Sequence, residues 1–456
     1  MALGLRLHAL GRFSLGNDEI EEARWSRLPA AEMLRLVAGD AVHPPLDYMV
    51  QLGIERTGAP EWARRLPSVA AGTATVLLAA LLARRWFGAA AGLGAALLLA
   101  CSPIHVRYSQ EVRPYAAGIF FLFLAVWALD ACRSRPSRRT TLVWFFAVLA
   151  AAWTLYLAGL VAVLVSATLI ALGRRGGLAT LWRRAPLILV AWAALYAPWL
   201  PHALSAARRP PPVAGETLDG EWLRYRLQVL GTGDYLSEPV SAGSWAFWGL
   251  VVVGLVAAAR AVPGVAAAIW LAGGAAAQLA LMRIRPHYPA VRHLLPVWSG
   301  AILLAGAGVG SLVSVRRARW LAPVALAGVL AFDARSLAAY YDHGRPEWGR
   351  VADLVARGVG PGETVVVSNT WVLRNFGYYW NERGLGKPGV SLDSPEEVEG
   401  PAWLVIAICP MGADLRREID ALPLRLRSPN TNGLEVRFVP PGTRLRWRGR
   451  MCLREA

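Results

Sequence analysis

Long apolar runs without charge constrain this chain more than any other feature. A helix that crosses a bilayer needs about 20 mostly apolar residues. Candidate runs occur at 67–83, 88–103, 115–132, 141–157, 158–173, 185–201, 244–260, 262–282, 294–314 and 320–339. The rest of the chain does not restore the usual balance: of 456 residues, 55% are hydrophobic and 17% charged, against about 25% charged in soluble domains. A water-soluble globular enzyme, a disordered chain and a disulfide-rich secreted module are excluded. The fold class expected is an all-α polytopic membrane protein of about ten spans, with only Tyr156–Gly159 dividing the run 141–173.

The net charge of +17 would suggest nucleic acid on a soluble protein. Here it comes almost entirely from arginine, with Lys387 a rare lysine, and much of it lies in short loops between apolar runs. Arg84 and Arg85, the run Arg133 to Arg139, Arg174/Arg175 with Arg183/Arg184, Arg260, and Arg316, Arg317 and Arg319 fall on one side. The alternate loops, 102–114, 202–243 and 283–293, are longer and richer in His, Glu, Tyr and Pro. The positive-inside rule puts the arginine set in the cytoplasm. The bilayer, and not nucleic acid, is therefore the partner, and the expected location is a bacterial cytoplasmic (inner) membrane.

Three divisions follow: residues 1–66 as an extracytoplasmic N-terminal segment and first loop, 67–340 as the membrane domain, and 341–456 as an extracytoplasmic domain. Residues 1–66 need an apolar helix to bring them across, yet Met1–Leu10 has the length of a helix tail only. Either the segment is threaded across unaided or the true start lies upstream; the second is the expectation, with a first helix missing from the chain. After about 345 the character changes. Glu347–Arg357 has helical periodicity, while Glu363–Ser368, Pro401–Ile408 and Leu434–Val439 have the pattern of strands, punctuated by Gly and Pro. This is a small C-terminal α/β domain. Cys101 and Cys132 fall at opposite faces, roughly 30 Å apart, and cannot pair. Cys409 and Cys452 share the C-terminal segment and could.

Polar and ionisable groups are expensive near a membrane, so their clustering carries information. Four clusters fall on the side opposite the arginines: Asn17-Asp18-Glu19 with Glu21 and Glu22; His43-Pro44-Pro45-Leu46; His105 to Tyr115; and Arg283 to His293, running on to Pro296. A carboxylate such as Asp18 could take a proton from an acceptor hydroxyl or amine, or hold a divalent cation. Arg113 and Arg292 match phosphate oxygens in geometry and stay charged at any working pH. Tyr108, Tyr115 and Tyr288 could line a sugar or polyprenyl groove. Each has a plainer account. Asp18-Glu19 could be solvated helix-start charges, and His43 could simply open a turn. The two arginines could snorkel to headgroups, and Glu111 could merely pair with Arg107 or Arg113.

The order of these motifs resembles the GT-C membrane glycosyltransferases, in the dolichyl-phosphate-mannose protein mannosyltransferase and aminoarabinose-transferase-like branch. The residues that carry the likeness are Ser14-Leu15-Gly16-Asn17-Asp18-Glu19, His43-Pro44-Pro45-Leu46-Asp47-Tyr48, Arg65-Leu66-Pro67-Ser68, Ser102-Pro103, Tyr108-Ser109-Gln110-Glu111-Val112-Arg113-Pro114-Tyr115, Arg292-His293-Leu294-Leu295-Pro296 and Trp348-Gly349-Arg350-Val351-Ala352. Asn17 replaces an aromatic of the family pattern, and His293 stands where Tyr is usual. The resemblance implies inverting transfer of a sugar from a polyprenyl-phosphate donor to an acceptor of unknown identity, on the extracytoplasmic face. It implies Asp18 as base or acceptor-orienting carboxylate, with Glu19 beside it in the catalytic pair. It also implies Arg113 and Arg292 on the donor phosphate, and His43, Tyr108, Glu111, Tyr115 and Tyr288 around substrate. Asp18 and Glu111 are the residues that could hold a divalent cation; no other cofactor is expected. Two alternatives stay open on the residues alone: a lipid-linked-sugar transporter or flippase, and an inactive relative that binds polyprenyl phosphate.

Overall fold

The computed structural model describes residues 1–456 except 175–177, 209–218, 234–240, 285–289, 344, 346, 388–389, 394–396, 408–412, 428–433 and 447–456. Cys409 and Cys452, whose pairing the sequence leaves open, lie outside the described residues. The helix α1 (Ala2–Leu7) is followed by three short helices, α2 (Asn17–Trp25), α3 (Ala30–Asp40) and α4 (Leu46–Glu55). Then come α5 (Leu66–Phe87), α6 (Ala89–Cys101), α7 (Pro103–Ser109), α8 (Tyr115–Ser134), α9 (Arg138–Thr154), α10 (Tyr156–Leu172), α11 (Ala179–Tyr196) and α12 (Leu200–Ala207). The helical part ends with α13 (Gly220–Thr232), α14 (Ala242–Ala258), α15 (Val262–Ile284), α16 (Leu295–Ser314) and α17 (Leu321–His343).

Each of the ten apolar runs coincides with one of these helices. Among the described residues five helices are long and apolar enough to cross a membrane, and up to seven if each of two bent pairs is one span. One bent pair is α6 with α7, at 61°. The apolar helices α10 and α14 are shorter, at 17 residues each, about 26 Å of rise. The division of 141–173 falls at Leu155, whose extended backbone (φ −151°, ψ 119°) separates α9 from α10. That is a few residues earlier than the apolar pattern suggests.

Local chemistry sets the ends. Gly88 closes α5 at φ +97°, with Arg84 and Arg85 in its last turn; glycine reaches this backbone region without strain. The side chains of Ser137 and Ser241 accept from the backbone N–H groups of Thr140 and Ser244, in the first turns of α9 and α14, each at 3.1 Å, as helix caps do. Two structural units emerge, one of Met1–Leu10 with Trp25–Ala338, the other of Gly11–Arg24 with Ala339–Ala456.

In the first unit α16 is the central helix, since every residue from Leu295 to Gly310 is buried. Its glycines allow backbone-to-backbone approach. A methyl group at Gly308 would strike the Leu250 carbonyl of α14, and one at Gly254 would strike the Leu304 carbonyl of α16. Small residues replace hydrophobic driving force in this way where lipid is as apolar as leucine. The Gly88-x-x-x-Gly92 spacing divides in two: Gly92 lies against Ala80 and Arg84 of α5, whereas Gly88 has open space and serves the turn. At the arginine-rich end, buried Asp130 on α8 meets Arg85 of α5 at 2.6 Å and Arg133 at 2.9 Å. Among the described residues Cys101 and Cys132 form no disulfide.

The second unit contains α18 (Trp348–Gly358), β1 (Thr364–Val367), α19 (Thr370–Gly377), β2 (Leu392–Asp393), β3 (Glu397–Glu399), β4 (Ala402–Ile406), α20 (Ala413–Asp420), β5 (Leu424–Arg427), β6 (Glu435–Val439) and β7 (Arg444–Arg446). One sheet has the order β2-β1-β4-β6-β5, and β3 pairs with β7. The neighbours of β1 run parallel to it, while β6 is antiparallel to β4 and β5. The strand and helix patterns of the C-terminal sequence therefore correspond to real elements. Arg437, buried, reaches Glu435 at 3.0 Å, Asp420 at 2.8 Å and the Leu422 carbonyl at 2.9 Å. Arg416 joins Asp420 at 2.6 Å and Glu435 at 3.0 Å.

Two outcomes are expected. Gly308→Leu forces a side chain into a backbone carbonyl and costs about 3 kcal/mol, the upper end for overpacking, read as a lower unfolding midpoint in detergent. In the C-terminal unit burial alone would raise the Glu435 carboxyl, but hydrogen bonds from Arg416 and Arg437 outweigh it and hold the group below 4.5. The Arg416 hydrogen bond likewise holds Asp420 below 3.8. Folded-state depression means the stabilisation is complete above those ordinary values and is lost as pH falls through the folded ones. Melting of the full chain from pH 6 to about pH 3 should show this loss, and Glu435→Gln should flatten it.

Candidate functional site

The site residues of the first unit gather around one bent segment. Ser102 caps α7 by accepting from the His105 backbone N–H at 3.5 Å. Pro103 occupies the first turn of α7, where it has no N–H to lose usefully. It also deprives the Leu99 carbonyl, four residues back, of its helical donor. Arg6 of α1 supplies one. Its guanidinium donates to the carbonyls of Leu99 and Ala100, each at 3.3 Å, to Ser109 Oγ at 3.2 Å and to His105 Nδ1 at 2.6 Å. The Gln110 amide then donates to the carbonyls of Arg6 and His8, at 2.9 and 2.7 Å. Gly72 of α5 leaves room for Ser109 and Arg6 at this crossing.

Beyond α7 the chain turns through 111–114 into α8, bringing the candidate residues together. Tyr108 and Tyr115 meet edge to face with ring centroids 5.1 Å apart, and His43 lies edge-on to Tyr115 at 5.6 Å. All three are buried. Glu111 pairs with Arg107 at 3.2 Å, and the Arg107 guanidinium lies 5.5 Å from the Tyr108 ring. The pairing anticipated for Glu111 is thus present. Arg113 is 7% exposed, more enclosed than a side chain reaching out to headgroups. Arg292, in the short 3-10 turn Val291–Leu294 before α16, is within electrostatic reach of the Tyr108 hydroxyl. His43, Tyr108, Glu111, Tyr115 and Arg292 thus form one neighbourhood of rings and opposite charges. Tyr288 lies outside the described residues.

Asp18 and Glu19 belong to the second unit, in the first turn of α2. Asp18 is half-buried. Glu19 is buried, accepts from the Gly16 backbone N–H at 2.8 Å and pairs with Arg345 at 3.4 Å. Within that unit the α2 segment is held by Tyr379, whose hydroxyl accepts from the Leu15 N–H at 2.6 Å. Arg374 adds an ion pair to Glu21 at 2.6 Å. Among the described residues no group of three or more His, Cys, Asp and Glu side chains has the arrangement of a metal site.

The motifs point to several residues without revealing their importance. Arg6 sits in what reads as an apolar helix tail, and a lone arginine there was the available signal. Arg65 donates to the Leu10 carbonyl at 2.8 Å. Arg64 donates to Ser26 at 2.9 Å and pairs with Glu55. Both lie in or beside the Arg65-Leu66-Pro67-Ser68 motif and tie the segments before α5 to it.

Comparison with known proteins gives this arrangement a class. Residues 42–202 match the family model described as dolichyl-phosphate-mannose-protein mannosyltransferase. The fold is similar to that of ArnT from Cupriavidus metallidurans, solved bound to undecaprenyl phosphate. The TM-score is 0.55 at 17% identity, covering 95% of this chain and 96% of that one. It is also similar to the apo oligosaccharyltransferase of Archaeoglobus fulgidus, with TM-score 0.53 at 12% identity over 82% of this chain and 62% of that one. At such identities the likeness is one of fold, and the fold is GT-C. The protein is an integral membrane protein with that fold, and its residues 42–202 are similar to the protein mannosyltransferase family. The resemblance read from the motifs is borne out. YkcB of Bacillus subtilis (strain 168), provisionally named a mannosyltransferase, is 34% identical over 105 residues, which is 23% of this chain and 14% of that protein.

Arg6→Met should leave the Leu99 and Ala100 carbonyls without their side-chain donor in a dry environment. The expected cost is about 3 kcal/mol, since each buried unsatisfied group costs roughly 1–3 kcal/mol. Thermal unfolding of the purified chain checks it.

Proposed function

We propose that this chain is a glycosyltransferase that moves a sugar from a polyprenyl-phosphate-linked donor to an acceptor on the extracytoplasmic face of the membrane. The observation that carries this is the fold, which parallels a protein solved with undecaprenyl phosphate over nearly the whole of both chains. The ring and charge neighbourhood at α7 and α8 supports it. The arginine-rich ends of α5 and α8, both opposite that neighbourhood along their helices, support the orientation.

In this mechanism Asp18 orients the acceptor and takes its proton while the acceptor oxygen or nitrogen attacks the anomeric carbon. The bond from that carbon to the phosphate oxygen breaks on the opposite side, so configuration inverts and polyprenyl phosphate leaves with the bonding pair. Arg292 and Arg113 hold the negative charge that develops on the leaving phosphate, where fixed cations out of bulk water act most strongly. His43, Tyr108 and Tyr115 form a wall for sugar or lipid head, and Glu111 with Arg107 fixes the adjoining loop. Glu19, already engaged with Arg345 and the Gly16 N–H, supports Asp18 by holding the start of α2.

Membranes carrying the full chain, incubated with a panel of labelled polyprenyl-phosphate sugars, test the proposal. Transfer from at least one donor is expected. Asp18→Asn should lower turnover by about 10²–10⁴-fold, the range for a lost general base, while donor binding persists. Absence of transfer from every donor, or an Asp18→Asn variant as fast as the parent, would overturn it.

A further inference from the structure

Two buried N–H donors stand side by side in the first unit without an acceptor. They are Nε2 of His105 on α7 and Nε1 of Trp298 on α16, neither of which has a hydrogen-bond partner among the described residues. Both residues are 1% exposed, and their rings are 6.4 Å apart at a tilt of 36°. An unsatisfied buried donor costs roughly 1–3 kcal/mol, and bilayer hydrocarbon provides no relief. Two in adjacent rings indicate a missing third party.

The state of His105 follows from its neighbour. Arg6 Nη2 lies 2.6 Å from His105 Nδ1. A guanidinium has only donors, so Nδ1 must accept. The imidazole is therefore neutral with its proton on Nε2, because an imidazolium would set N–H against N–H and cation against cation. Arg6 thus does two things at once. It makes Nε2 a donor like the indole nitrogen, and it puts a full positive charge behind it. Two donors on neighbouring rings, one of them backed by a cation, suit an oxygen acceptor, above all an anionic one. Depth narrows the ligand further. Trp298 is in the first turn of α16, about 5 Å along the axis from its start and directly after the turn holding Arg292. That level suits the head of a lipid and not its tail.

We infer that His105 and Trp298 together donate to one phosphate oxygen of the lipid-linked donor, with Arg6 setting the tautomer that makes this work. The inference rests on the polyprenyl-phosphate donor proposed above and adds two ligand contacts and one positioning residue to it.

The test uses the full chain in lipid nanodiscs titrated with undecaprenyl phosphate. His105→Phe and Trp298→Phe keep a ring in place and remove one N–H each. Each should weaken binding about tenfold, the equivalent of one charge-assisted hydrogen bond, with the unfolding midpoint of Trp298→Phe near the parent's and that of His105→Phe lower, because Arg6 Nη2 loses its Nδ1 acceptor. Inorganic phosphate in tenfold excess should leave the lipid bound. In spectra of ¹⁵N-labelled imidazole, the resonance missing from His105→Phe should report a single Nε2–H tautomer in the parent and a mixture in Arg6→Met. Parent-like binding by both phenylalanine variants, or displacement by inorganic phosphate, overturns this inference alone. A parent chain that binds no undecaprenyl phosphate overturns the donor proposal with it. If one variant fails to fold, the other variant and the tautomer spectrum still decide.

Discussion

Inside a bilayer a backbone carbonyl without a donor has nowhere to turn, and at the end of α6 this problem is solved by a single side chain. Pro103 removes the N–H that would have continued the helix, and the carbonyls of Leu99 and Ala100 are taken up by Arg6. The same guanidinium reaches Ser109 and His105, so the 61° bend between α6 and α7 is held by directional bonds and not by packing alone. Everything that follows in the chain as far as α8 inherits that bend. A straight continuation would have carried Tyr108 and Glu111 further along the α6 axis, away from His43 and Arg292.

The cost of burying a guanidinium explains why so many acceptors surround it. An arginine in a dry site must use its donors or lose the hydration energy of the charge without return. Arg6 uses them on two carbonyls of a broken helix, an imidazole and a hydroxyl, and its own backbone carbonyl accepts from Gln110. Structural and chemical roles are then hard to separate, since the contact that closes the helix end also selects the tautomer of His105. The glycines elsewhere in the unit serve a different need. At Gly254 and Gly308 the helices approach closely enough for backbone to meet backbone, which places α16 at the centre and fixes the level of Trp298.

The C-terminal unit is organised differently, as its sequence suggests. Strands β1, β4 and β6 bring valines and leucines inward, and charge is gathered into one network around Arg437 and Glu435. The short segment Gly11–Arg24 belongs to this unit and not to the helical one. Asp18 therefore rides on a scaffold built largely from residues more than three hundred positions later. Nothing in the local spacing of Asn17-Asp18-Glu19 marks that association, since it depends on Tyr379, Arg374 and Arg345, each distant in the chain.

Hydropathy and turn chemistry are local, and so residue order alone was enough for the ten apolar helices, for C-terminal strands within 363–368, 401–408 and 434–439, and for the GT-C likeness that rests on motif order. Glycine at position 88 and the arginines at 84 and 85 were enough to mark a helix end. The break at Leu155 was displaced by a few residues, because alanines on either side satisfy helix and span alike. Which buried polar groups meet follows from the folded chain alone. Glu111 takes Arg107 from its own turn, Glu19 takes Arg345 from the other end of the chain, and Arg6 closes a helix end almost a hundred residues away. A buried charge must have partners, but a one-dimensional pattern says only that it needs them. Which ones it has is settled by the path of the folded backbone.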